Sequence, residues 1–463
     1  MKILKKTICI LLAVLLLCTG CSNSTDTNEE TTKNNEMPQG QPGGTPPDKP
    51  GGEGGSSSSD LVYMAATEIS SAADESGKTY ASSTADESAL IIATDEKVTI
   101  SDMTVTKTGD SDGGDNCNFY GLNAAVLVKD GANVTIEGGM VNSSASGANG
   151  IFCYGGNGGQ NGADGDGTTL TVKGTKIVTT GDGSGGIMTT GGGITYAYDL
   201  DVETSGQSSA AIRTDRGGGT VYVDGGSYTT NGLGSPAIYS TADVTVSNAT
   251  LTSNLSEGVC IEGKNSITLN DCDLTANNTK CNGNATFYDT IMIYQSMSGD
   301  ADSGTSSFTM TDGTLTSLKG HVFHVTNTNA LITLDDVDII NRDSENILLS
   351  VCDDGWSGGS NIATLKAIDQ DLEGATLVGD NSTLTLELSD ESEFTGYING
   401  NIANVSGTVV STEVGTVNVT ISGDSTWTLT ADSYITSFNG NASSIISNGY
   451  TLYVNGTALT GTR

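Results

Sequence analysis

Chemistry in this chain has few candidate residues. His321 and His324 are its only imidazoles. Three positions apart on a strand, they face opposite sides and do not share a metal. Glycoside hydrolysis needs two carboxyls across a groove, and Asp335-Asp336 and Asp353-Asp354 are the Asp-Asp pairs available. Elimination from a uronate needs a basic residue near the Cα proton, and Arg213 close to Asp215 imitates that arrangement. The run Asp110-Ser111-Asp112-Gly113-Gly114-Asp115-Asn116 sets carboxylates around glycines. Calcium takes such oxygen ligands, so Asp110, Asp112 and Asp115 are the metal candidates and calcium the cofactor they imply. The run lacks an EF-hand's bidentate Glu and no helix is expected beside it; a solvated turn is the alternative.

Charge narrows the partners. With 19 Lys and Arg against 55 Asp and Glu, the formal net charge is −36. Phosphate backbones need basic side chains, so nucleic acid is excluded as a partner. Of nine cysteines, Cys117, Cys153, Cys260, Cys272, Cys281 and Cys352 lie in the body, at spacings that fit no zinc or iron–sulfur pattern. Disulfides and buried free thiols both remain open.

Residues 61 to 460 repeat. A small residue precedes a short apolar strand at Val126, Ile151, Ile187, Ile212, Ile238 and Val259. The period is about 21 to 26 residues, interrupted by a Gly-rich insertion near 155–167, and such periods mark solenoids. A second strand alternates apolar and polar residues, as at Val134-Thr135-Ile136 and Val244-Thr245-Val246. That alternation gives one buried and one wet face. A third follows a turn, as at Lys176-Ile177-Val178 and Ser227-Tyr228-Thr229. Three short strands per coil predict an all-β, right-handed parallel β-helix of about 16 coils, on the order of 75 Å long.

If the anchor residues point inward, the next residue of each coil points out. This predicts an exterior column of Phe152, Met188, Arg213, Tyr239 and Cys260. A second holds Tyr154, Thr190, Asp215, Thr241 and Glu262. Aromatic faces beside Arg and carboxylates suit a sugar chain, so Phe152, Tyr154, Arg213, Asp215, Tyr239 and Glu262 are the glycan-binding candidates. The alternative is that a loop such as the insertion covers the strip.

The N-terminal segment has a Lys-rich head, an apolar run from Ile8 to Leu17, and small residues before Cys21. It reads as a signal peptide and resembles a lipobox, which implies acylation of Cys21. Residues 22–59 contain no Val, Ile, Leu or aromatic residue and hold five of the six prolines; such a segment stays disordered. The expected organisation is a lipoprotein signal peptide over 1–20, a lipid-anchored disordered linker over 21–59 and a β-helix over 60–463.

On these repeats the body resembles pectate-lyase-like β-helices. The ending Trp427-Thr428-Leu429-Thr430 resembles the final coils of pertactin-type, adhesin-like passengers. The leader and tether resemble surface lipoproteins of Gram-positive gut anaerobes. The polygalacturonase motifs Asn-Thr-Asp, His-Gly and Arg-x-Lys are absent, as is the longer lyase signature with two arginines around a proline. The expected function is therefore a non-enzymatic, extracellular, membrane-anchored protein that binds a polysaccharide or host glycan. The alternatives are a lyase or hydrolase of pectin-like glycans and a structural surface protein.

Overall fold

The computed structural model describes residues 61–157 and 164–463. The expected leader, Cys21 and the linker to residue 59 lie outside the described residues. The body is a right-handed parallel β-helix built on a 20-stranded and a 15-stranded sheet. The 15-stranded sheet takes one strand per coil, so the coil count is close to the expected 16. Fifteen strands at ~4.8 Å span about 67 Å.

The anchors stack as the repeat predicts. Val126, Ile151, Ile187, Ile212, Ile238 and Val259 are consecutive register partners, and all belong to one continuous core. Ile177, Val202, Tyr228, Leu251 and Leu274 form a second inward column. One coil inverts the apolar pattern. At Gly193–Thr204, Thr195 and Ala197 are buried while Ile194, Tyr196 and Tyr198 lie outward. Thr195 aligns with Val221, and its hydroxyl meets that of Thr189 at 2.7 Å. The paired hydroxyls satisfy each other, which is what burial of a polar group requires.

Turns are constrained by the coil beneath them. Ser184, Ser209 and Ser235 stack at one corner, where the Ser184 and Ser209 amides donate to the hydroxyl one coil on, at 2.9 Å each. Beside them Gly181, Gly206 and Gly232 also stack. A Cβ on Gly206 would lie 1.8 Å from the Gly181 carbonyl oxygen, so close coil approach demands glycine there.

The C-terminal coils bury Trp427 against Phe394, ring centroids 5.4 Å apart. Leu452–Val454 and Thr457–Ala458 then form an antiparallel hairpin, which ends the parallel stacking. The six body cysteines are free thiols, five buried and Cys281 half-buried. No helix among the described residues is long and apolar enough to cross a membrane.

Candidate functional site

The outward column forms in the expected register. Phe152 pairs with Met188, Met188 with Arg213, Arg213 with Tyr239, and Tyr239 with Cys260. It continues through Met292, His324 and Ser350. The expectation that it is open to solvent is corrected. Phe152 is 0% exposed, and Tyr154, Asp215 and Glu262 are also buried; Arg213 and Tyr239 are half-buried.

Two segments form the cover. The first contains a helical turn, α1 (Asp115–Phe119), followed by Tyr120. Phe119 and Tyr120 pack with Phe152, Tyr154, Leu127 and Met188 in a second apolar cluster, with Leu61 and Tyr63 at its margin. Thr190 and Asn149 side chains donate to the Phe119 and Cys117 carbonyls, at 2.7 and 3.2 Å. Phe152 and Tyr154 are therefore core residues of a capped patch.

The second cover is the 296–302 loop. Arg213 donates to Asn118 Oδ1 at 3.2 Å, the Ser208 carbonyl at 3.1 Å and Asp215 Oδ2 at 2.9 Å. Burial pushes the Asp215 carboxyl up to about 7, against the lowering effect of Arg213. Arg216 gives Asp215 only its backbone amide. Its guanidinium donates to Asp300 Oδ1 at 2.6 Å and lies over the Phe119 ring, 4.2 Å from the centroid. Asp300 accepts from Ser298 at 2.8 Å, and Ser298 is bonded to Ser296, which donates to Glu262. Glu262 also accepts from Tyr239 and Tyr294, at 2.6 and 3.1 Å. The network runs without a break from Asn118 to Tyr294 and fastens both covers to the sheet.

Where the cover meets solvent, an aromatic patch appears. Half-buried Trp356 packs on Tyr294, centroids 4.9 Å apart. Met297 is 42% exposed and has φ 62°, a region a bulky side chain enters only under strain. A Cβ on Gly358 would lie 3.7 Å from Met297 Cγ, which puts Met297 beside the Trp356 turn. The pair Arg216–Asp300 borders the loop, with side chains 27% and 19% exposed. Repeat reasoning missed Trp356, Tyr294, Met297 and Arg216–Asp300. Trp356 carried a signal: it is one of two tryptophans and sits in Asp353-Asp354-Gly355-Trp356-Ser357-Gly358-Gly359, a turn sequence with no other large apolar residue.

The metal candidates do not converge. Asp110, Asp112 and Asp115 are all exposed. Asp110 accepts from the Ser146 amide at 2.8 Å, whereas Asp115 opens α1 and senses Asp300, Arg216 and Arg213. The Asn116 and Cys117 amides bond back to the Gly113 and Gly114 carbonyls, so Asp115 starts the helical turn while Asp110 and Asp112 stay outside it. Among the described residues no three His, Cys, Asp or Glu side chains gather to hold a metal ion. The calcium reading of this run is therefore withdrawn.

The histidines also depart from expectation. Val322 and Phe323 both enter the core, so strand alternation breaks between them and both imidazoles emerge on one side. Their Nδ1 atoms each lie 2.7 Å from Ser350 Oγ. Phe287 packs against both rings, and His324 Nε2 lies 3.3 Å from Asp354 Oδ2. Ser350 and His324 are fully buried, which makes this group a clamp on the 281–288 segment. Asp354 secures it further by accepting from the Thr286 amide and hydroxyl, at 2.9 and 2.6 Å.

In comparison with known proteins, no family model, curated protein or solved structure matches the chain.

Proposed function

We propose that this chain is a cell-surface protein whose β-helix binds a polysaccharide or host glycan without turning it over. Trp356 carries the reading. Its half-buried indole, braced by Tyr294 and near Met297, offers part of the flat apolar face a pyranose ring needs. The loop that carries Met297 also carries Ser298 and Asp300, the latter paired with Arg216, as hydrogen-bonding groups. Flat apolar surface with a few oriented polar groups is the usual composition of a sugar site. In this reading Arg213, Asp215, Tyr239 and Glu262 form the layer beneath and hold the loop in shape.

Trp356→Ala is expected to weaken retention in a polysaccharide gel at least about tenfold, while the protein stays folded and loses no more than the ~0.5–1.5 kcal/mol of an aromatic pair beyond its area burial. Unchanged retention would place the binding face elsewhere on the rod. A second reading, hydrolysis or elimination, draws on Asp215, whose carboxyl is held near neutrality beside Arg213. New reducing or unsaturated ends from purified protein would favour it.

The reading includes attachment outside the cell through an acylated Cys21, since a short apolar leader precedes that residue. Cys21→Ser is expected to release the protein into the medium or leave its precursor uncut. Unaltered partitioning into detergent would contradict the anchor.

A further inference from the structure

A second set of side chains, at a corner of the coils between residues 256 and 290, has no place in the glycan reading. Val259 pairs with Ile291 in the parallel ladder, and the Gly258 amide donates to the Thr290 carbonyl at 2.8 Å. Two residues before that register pair, Glu257 and Asp289 occupy equivalent corners of successive coils. Coils stack ~4.8 Å apart, so two carboxylates sit one above the other. Glu257 is 4% and Asp289 1% exposed.

Their surroundings leave them under-compensated. Neither forms an ion pair with Lys or Arg among the described residues. Glu257 accepts from Ser256, but neither Asp289 oxygen has a hydrogen-bond partner. The Asn278 side-chain carbonyl is also buried and unpartnered. The charges of Glu257 and Asp289 act on each other, and the Asn278 amide nitrogen faces Glu257 as a donor. A buried carboxylate without a partner is costly, and orphaned buried polar atoms are rare in folded proteins. Stacked like charges add to that cost.

We propose that Asp289, Glu257 and the Asn278 side-chain carbonyl bind one hard divalent cation, of the calcium class. The donors are all oxygens, mixing carboxylate with a neutral ligand, the chemistry such an ion selects. Only two of them are acidic, so the site differs in kind from a cluster of three carboxylates or imidazoles. A cation here joins two coils beside the 278–288 segment and stiffens the rod where the histidine clamp also acts. It touches none of the residues assigned to glycan binding.

The test uses the full purified chain. Passed through gel filtration in chelator-free buffer after growth with calcium, it is expected to carry about one equivalent of calcium by elemental analysis. Prolonged EDTA treatment should lower its melting temperature by several degrees, and calcium should restore it, as expected for a ligand bound only by the folded state. Asp289→Asn should retain less than about a tenth of the metal and melt identically with and without calcium. Asn278→Ala, which removes a neutral ligand, should weaken binding while remaining folded. Metal-free wild type that melts identically in EDTA and in millimolar calcium or magnesium would overturn the proposal. So would retention of zinc or another transition metal instead, or calcium retained in full by both variants.

Discussion

Arg213→Ala is expected to destabilise the β-helix by about 3–5 kcal/mol at pH 8, the usual cost of removing one partner from a buried ion pair. The side chain is only 12% exposed and Asp215 6%, so the substitution strands a carboxylate beneath the cover. It also removes the bonds to Asn118 and the Ser208 carbonyl, which loosens α1. The loss should shrink as pH falls, because a protonated Asp215 no longer needs the guanidinium. Denaturant unfolding at pH 5 and pH 8 measures this directly. Equal losses at both pH values would show that Arg213 acts by packing alone.

The second large effect is the pH dependence of the wild type. The native Asp215 carboxyl holds its proton up to about 7, whereas an unfolded Asp releases it near 3.9. Between those values the native state binds more protons, so stability falls as pH rises. The contribution is whole below about pH 4, is lost progressively towards pH 7 and is flat above it. At 1.36 kcal/mol per unit the change amounts to at most about 4 kcal/mol. Asp343 and Asp354 act in the opposite sense. Lys319 and backbone amides hold Asp343 below the usual carboxylate range, and His324 and Thr286 do the same for Asp354. Their stabilisation is present above about pH 4 and disappears in acid. The melting temperature should therefore peak in mildly acidic buffer, and Asp215→Asn should flatten the decline between pH 5 and 7. A wild type that becomes steadily more stable from pH 5 to pH 8 would contradict the buried state assigned to Asp215.

The rod was legible in the sequence because its signal is local and repeated. An inward Ile or Val after a small residue, recurring in Ile151, Ile187, Ile212 and Ile238, gives both strand and register, and stacking then follows from the period. The same logic placed Arg213 above Tyr239 correctly. It failed at the next layer out. Alternation says which residues leave the coil interior but not what lies over them. The covers at 115–120 and 296–302 are turn sequences without periodicity, positioned by contacts dozens of residues away, such as Arg216 to Asp300. The histidines escape the same logic for a related reason: alternation does not hold through a strand whose Val322 and Phe323 both turn inward. Trp356 went unweighed because a lone aromatic in a Gly- and Asp-rich turn contributes nothing to a repeat.

The glycan reading is tested most directly by a broad glycan array probed with the purified wild-type body and with Trp356→Ala, with parallel assays for released reducing and unsaturated ends. The account predicts that the wild type binds a defined set of glycans, that Trp356→Ala loses most of that binding while still folding cooperatively, and that no new ends appear. An array silent to the folded wild type, or glycan turnover abolished by Asp215→Asn, would contradict it.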